Sequence, residues 1–140
     1  CWIGACAAAA LALGAASGAW AQTYPAKPIK LIVAFGTGSA NDIIARELAR
    51  HMGDILGQSV VVENRTGGGG SLGTNAVAKA APDGYTIGLG TSSQMVMNVE
   101  LYKSLPFDVE RDLRSIGLVA RTPLILVASS AMPKTLKELA

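Results

Sequence analysis

Apolar residues in this chain fall in short unbroken runs, separated by longer segments whose apolar positions recur at helical spacing. Ile29 to Phe35 is apolar except for Lys30, Ser59 to Glu63 carries three successive valines, and Tyr85 to Gly90 is a third short run. Runs of this length, rich in β-branched residues, predict strands buried on both faces. Between the first two, Asp42 to about Leu56 puts Ile44, Leu48, Met52 and Ile55 on one helix face, and Gly57 stops that helix. Leu72 to Ala81 predicts a short alanine-rich helix, ended by the turn signal Pro82-Asp83-Gly84. Gln94 to Leu101 predicts another helix, broken by Leu105-Pro106-Phe107-Asp108. Ser115 to Val119 and Leu124 to Ala128 predict strands on either side of Thr122-Pro123. Near the end Thr135, with Glu138 three residues on, reads as the cap of one more helix, so the domain is expected to continue past Ala140. Apolar strands alternating with helices predict an α/β fold, with a parallel sheet covered on both faces.

Each of the first three strands runs into a Gly/Ser/Thr-rich loop that opens a helix: Phe35-Gly36-Thr37-Gly38-Ser39-Ala40-Asn41-Asp42, Asn64-Arg65-Thr66-Gly67-Gly68-Gly69-Gly70-Ser71, and Gly88-Leu89-Gly90-Thr91-Ser92-Ser93. Helix N-termini carry unpaired N–H groups and a partial positive charge, and glycine lets a ligand approach that backbone closely. If the strands are parallel neighbours, all three loops share one sheet edge and form an anion site. The residues expected to line it are Phe35, Gly38, Ser39 and Ala40, then Gly69, Gly70 and Ser71, then Thr91 and Ser92. Each also has a structural reading. The glycines can be tight turns, and Ser39, Ser71, Thr91 and Ser92 can be helix caps. Asp42 reads as a first-turn negative charge rather than a ligand contact, and His51, four residues after Glu47, as half of a surface pair. Arg65 is left open between a structural role and pairing with a carboxylate.

The first 21 residues contain no charge and run through Ala7-Ala8-Ala9-Ala10-Leu11-Ala12-Leu13-Gly14 to Ala19-Trp20-Ala21. This reads as a secretory signal, incomplete at its start, with cleavage expected between Ala21 and Gln22 and delivery to the periplasm. The run is short and alanine-rich for a retained membrane span, and Ile3-Gly4-Ala5-Cys6 is a poor lipoprotein acylation box because apolar residues follow it. Both cysteines, Cys1 and Cys6, fall in the segment to be removed, so no thiol remains for a disulfide, a metal or catalysis. Twelve basic against ten acidic residues give a net charge of +2 without clustering, which argues against nucleic acid. No Cys/His cluster suggests a metal, and no cofactor is expected.

Several stretches together resemble the substrate-binding protein family of tripartite tricarboxylate transporters, the Bug receptors. They are Tyr24-Pro25-Ala26-Lys27-Pro28-Ile29-Lys30-Leu31-Ile32-Val33, Ala40-Asn41-Asp42-Ile43-Ile44-Ala45-Arg46, Leu56-Gly57-Gln58-Ser59-Val60-Val61-Val62-Glu63-Asn64-Arg65, Ala78-Lys79-Ala80-Ala81-Pro82-Asp83-Gly84-Tyr85-Thr86 and Leu101-Tyr102-Lys103-Ser104-Leu105-Pro106-Phe107-Asp108. The resemblance implies a periplasmic receptor of the type II periplasmic binding protein architecture, with two α/β lobes. It would close on a small organic acid held by its carboxylate and present it to a membrane permease. On this reading residues 22–113 form the first lobe and 114–140 the crossover and start of the second, in a monomeric protein without enzymatic activity. The chain departs from the family pattern in its loops. Ala34, Thr37 and Ser39 stand where the first loop usually has two prolines and a glycine, and Thr66 and Gly68 where the second has proline and alanine.

Two other readings compete. Gly36-Thr37-Gly38-Ser39-Ala40-Asn41 follows a strand and opens a helix, with Glu63 ending the next strand, as in a nucleotide- or dinucleotide-binding enzyme domain. Asn41 replaces its third glycine, and no Lys follows the Gly67–Gly73 loop to make a phosphate loop. An exported hydrolase would need a nucleophile and base. The chain offers one histidine and no Gly-x-Ser-x-Gly elbow, so its catalytic groups would have to lie past Ala140.

Overall fold

A computed structural model describes residues 23–123. The expected signal segment with its cleavage point, the strand expected at Leu124–Ala128 and the helix expected after Thr135 lie outside the described residues. Among the described residues nine elements occur in order: β1 (Ile29–Val33), α1 (Ala40–Leu56), β2 (Val60–Asn64), a 3-10 turn (Gly68–Gly70), α2 (Ser71–Ala78), β3 (Thr86–Leu89), a π-helical turn (Ser93–Met97), α3 (Asn98–Leu101) and α4 (Val109–Asp112).

The three strands form one parallel sheet in the order β2-β1-β3. Ile29 of β1 lies opposite Val60 and Val33 opposite Asn64, while Lys30 and Val33 lie opposite Thr86 and Leu89 of β3. Parallel neighbours need crossover connections, which α1 and α2 supply. β1 is the central strand, and Ile29, Leu31, Ile32 and Val33 are buried on both of its faces. On one face Leu31 and Val33 pack with Ala45 and Ala49 of α1, joined by Leu48, Val60 and Val62. On the other, α2 lies so close that a Cβ on Gly73 would meet the Ala34 Cβ at 2.6 Å, and one on Gly88 would meet Val77 at 2.8 Å. Glycine in the middle of a helix and in a strand is therefore the condition for that close approach. Gly57 ends α1 in the left-handed conformation (φ 66°), its N–H donating to the Gly53 carbonyl, as its position predicts.

Four expectations change. Ile55 does not join the apolar face of α1 but is 82% exposed in the last turn. Val61 is 54% exposed, because β2 is bonded only to β1 among the described residues and one of its faces is uncovered there. Ser115–Val119 is not a strand: Ile116 and Leu118 are exposed, and no described strand pairs with the segment. After the Leu105–Asp108 break the chain makes the short unexpected helix α4, which Asp108 caps by accepting the Glu110 and Arg111 N–H groups.

At the sheet edge away from the loops, two stretches that carry the family resemblance meet. The Tyr24 hydroxyl donates to the Gly84 carbonyl, the Tyr85 hydroxyl accepts the Ala26 N–H, and Lys27 lies over the Tyr85 ring at 4.3 Å. These contacts seat the entering chain on the turn before β3.

Candidate functional site

All three Gly/Ser/Thr loops leave the carboxyl ends of adjacent parallel strands and so gather at one edge of the sheet. The first is built around Asp42, which is 2% exposed. Ser39 caps α1, its Oγ accepting the Asp42 N–H at 3.2 Å. The Asp42 carboxylate accepts the Gly38 N–H at 2.9 Å and Arg46 Nε at 3.0 Å on one oxygen, and Asn64 Nδ2 at 2.9 Å on the other. Asn64 also donates to the Phe35 carbonyl at 2.9 Å, and its Oδ1 accepts from Thr37 Oγ1 and Arg46 Nη2. The Arg46 hydrogen bond, then the Gly38 amide and Asn64, hold the Asp42 carboxyl down to about 2 against the opposing effect of burial. Asp42 is thus ionised at neutral pH and matched by Arg46, so it does not cancel the positive end of α1. The Gly38 N–H is occupied. The Ala40 and Asn41 N–H groups, in the first turn of a 17-residue helix, have no intrahelical acceptor, and Ser39 keeps its hydroxyl proton as a donor beside them.

The second loop is a run of four left-handed glycines, with φ of 126°, 56°, 61° and 91° at Gly67, Gly68, Gly69 and Gly70. No other residue adopts four such angles in succession without strain. The turn closes on itself: Gly70 N–H donates to the Gly67 carbonyl at 3.0 Å, Ser71 N–H to Gly68, and Leu72 N–H to Gly67 at 3.4 Å. The opening amides of α2 are therefore largely engaged inside the turn, unlike those of α1. Side chains pin it from outside. Thr74 Oγ1 donates to the Gly70 carbonyl at 3.0 Å, and Asn98 Nδ2 to the Gly69 carbonyl at 3.0 Å and to Ser71 Oγ at 3.5 Å.

In the third loop Thr91 is engaged internally. Its N–H donates to Gln94 Oε1 at 3.0 Å, its hydroxyl pairs with Ser93 Oγ at 2.8 Å, and its carbonyl accepts the Gln94 and Met95 N–H groups. Ser92 is exposed and makes no side-chain cap. Gln94 is 1% exposed and packs under Gly70.

The structure thus brings Phe35, Gly38, Ser39 and Ala40 to one edge with Gly69, Gly70, Ser71, Thr91 and Ser92. Arg65, just past the end of β2, is paired with Glu63, whose other oxygen takes Lys30 Nζ at 3.1 Å. His51 sits on the outer face of α1, with Nδ1 2.9 Å from the Glu47 carbonyl oxygen. The residues that hold the loops, Asn64, Arg46, Gln94 and Asn98, were not singled out from the sequence. The available signals were an Asn closing a valine strand and polar residues at 94 and 98, one turn apart in a largely apolar helix. Among the described residues no group of three His, Cys, Asp or Glu side chains could hold a metal. An open groove of about 710 Å³ between α1 and β2, lined by Arg50, Asp54 and Gln58 among others, faces the far part of α1 rather than the loops.

The sheet order decides against the dinucleotide reading. That fold sets the third strand beyond the second, in the order 3-2-1, whereas here β3 lies on the opposite side of β1. The order 2-1-3 is the other doubly wound arrangement.

The family described as tripartite tricarboxylate transporter family receptor matches residues 44–140. Protein BugT of Bordetella pertussis is 47% identical over 117 residues, which cover 83% of this chain and 36% of that protein. A structure of a periplasmic transporter shares 46% identity at a TM-score of 0.60, over 61% of this chain and 29% of its own. MatC from Rhodopseudomonas palustris with bound malate shares 34% identity at a TM-score of 0.61, over 64% of this chain and 30% of that one. Rpa4515 of R. palustris with adipate shares 33% identity at 0.60, over 62% and 29%. The chain spans about a third of the length of the curated relatives it matches. With a family match over more than half its length and an α/β parallel sheet like that of periplasmic binding proteins, the chain belongs to the receptor family of tripartite tricarboxylate transporters.

Proposed function

We propose that this chain supplies the carboxylate-gripping lobe of an extracytoplasmic solute receptor that serves a tripartite tricarboxylate-type permease. The lobe comprises residues 22 to about 113, and a second lobe begins near Arg114. The observation that carries the reading is the free end of α1: the Ala40 and Asn41 N–H groups and the Ser39 hydroxyl, grouped after the central strand beside two glycine-rich loops, with the one nearby carboxylate neutralised by Arg46. Neutral donors preorganised at a helix N-terminus suit a carboxylate. The malate and adipate bound in MatC and Rpa4515 support that choice of ligand class.

One such terminus contributes about 0.3–1 kcal/mol towards an anion, and up to about 2 when partly buried. Micromolar binding needs about 8 kcal/mol. The remainder therefore comes from elsewhere in the receptor, which must exclude water from the same donors and so strengthen them. Binding without chemistry is the expected role, and export to the periplasm is expected to be accompanied by cleavage between Ala21 and Gln22.

Thermal-shift screening and calorimetry of the intact receptor with malate, adipate, citrate, benzoate and aspartate test the function. Stabilisation by at least one acid that is recovered unchanged is expected. Conversion of an acid to product would establish an enzyme instead, and no stabilisation by any acid would refute the carboxylate reading.

A further inference from the structure

Among the described residues two buried side-chain polar atoms have no partner, Asn75 Oδ1 on α2 and Gln94 Nε2, and the unpaired donor of the two lies under Gly70. Gln94 is 1% exposed, and its two ends differ. Oε1 accepts the Thr91 N–H at 3.0 Å, while Nε2 is buried with no acceptor. A Cβ on Gly70 would come within 2.1 Å of that nitrogen, so the amide NH2 rests directly against the residue preceding α2. Asn98, one turn on, holds Gly69 and Ser71, and a Cβ on Gly69 would lie 2.8 Å from the Tyr102 hydroxyl. One polar stripe, Gln94-Asn98-Tyr102, thus dictates the shape of the four-glycine loop. The stripe begins in a π-helical turn, a distortion that recurs at functional sites. Burying an amide donor without a partner is unfavourable, and the bond to Thr91 accounts for the Oε1 end of Gln94 but not for its NH2 end.

We infer that Gln94 is a positioning residue of the ligand site: it ties the third loop to the four-glycine loop and keeps an unpaired amide donor against the N-terminus of α2, where it favours an anion. The inference rests on the carboxylate reading above. Gln94 need not touch the ligand. Its NH2 end adds positive potential beneath a helix start whose own N–H groups are turned inward, and its carbonyl end fixes Thr91.

The test is acid binding by the intact receptor carrying Gln94→Glu or Gln94→Met, read by calorimetry at pH 8 and pH 5.5 and compared with the unmodified receptor at each pH. Gln94→Glu keeps the volume and the acceptor for Thr91 and changes only NH2 to oxygen. The 3-10 turn packed against position 94 carries no titratable side chain, and the ionisable groups on its own helical run are Glu100 and Tyr102. At pH 8 the introduced carboxylate should weaken binding of malate, or of whichever panel acid binds, by tenfold or more. At pH 5.5 burial of the introduced carboxyl favours its protonated form, which is again a donor, so most of the loss should be recovered. Gln94→Met should weaken binding severalfold and equally at both pH values. Equal affinity of Gln94→Glu and the unmodified receptor at pH 8 would overturn the inference while leaving the carboxylate reading intact. A loss that is the same at both pH values and the same as for Gln94→Met would overturn it as well, by showing a packing role only. An unmodified receptor that binds none of the acids overturns both.

Discussion

The first and second loops sit side by side at one sheet edge and are held in opposite ways. The first is anchored by charge: a buried ionised Asp42, its partner Arg46, and Asn64 bridging between strands. The second is anchored by neutral groups, with Thr74 and Asn98 on its carbonyls and Gln94 beneath it. The first leaves helix amides outward and the second turns them inward. Charge pairing fixes one loop at the position where the proposed ligand anion would bind, and it does so by matching the Asp42 carboxylate within hydrogen-bonding distance. The glycine run needs no charge because left-handed backbone angles already restrict what can occupy it.

The largest effect should come from the neutral side of this comparison. Gly70→Val adds a Cβ at a φ of 91° and drives it into Gln94. Affinity for a bound acid should fall tenfold or more, about 1.4 kcal/mol per factor of ten, by calorimetry on the intact receptor. Retained affinity would show that the four-glycine loop is not part of the site.

On the charged side, Ser39→Ala removes the cap of α1 and should cost about 1 kcal/mol of stability, read by denaturant unfolding. It should also weaken acid binding, because the hydroxyl donor is lost, whereas Ser39→Thr should largely restore the cap. A stability loss with unchanged affinity would make Ser39 a cap and nothing more.

Asp42 gives the comparison its pH signature. Its folded-state pKa, about 2, lies below the unfolded value near 4, so its contribution is complete above about pH 4 and is lost as pH falls towards 2. Asp112 is lowered to about 2 as well, by Arg111 and the Asp108 N–H, so the unmodified protein alone does not isolate Asp42. The difference in melting temperature between it and Asp42→Asn should be large at neutral pH and shrink across that window. The corresponding difference for Asn98→Ala should stay flat, since no charge titrates in the second loop's anchor. A flat profile for Asp42→Asn would refute the charge-anchored account.

The smallest effect is expected at His51, which pairs with Glu47 on the exposed face of α1. His51→Gln should leave acid affinity unchanged and stability within about 0.5 kcal/mol. A tenfold change in affinity would move the site away from the loops.

Much of this molecule was legible along the chain. The β-branched runs located β1, β2 and β3 to within a residue or two, and Gly57 marked the end of α1, because strand burial and turn angles depend on local residue type, whereas α2 stops at Ala78, three residues before the expected Ala81. Strand-to-helix loops likewise showed themselves as glycine followed by Ser39 or Ser71. The sequence alone determined that three such loops exist, each a Gly/Ser/Thr-rich run at the end of a strand. Only tertiary structure decided which amides stay outward, since that depends on which side chains arrive from distant segments. Asn64 reaches Asp42 across 22 positions, and Asn98 reaches Gly69 across 29. Asp42 read locally as a helix-end charge, and only the fold made it the buried centre of the first loop. Gln94 read as one more helical residue until Gly70 was folded on top of it. Val61 and Ile116 failed for the same reason in reverse: an apolar run specifies a strand's preference, but its pairing and cover are set by neighbours that local sequence does not name.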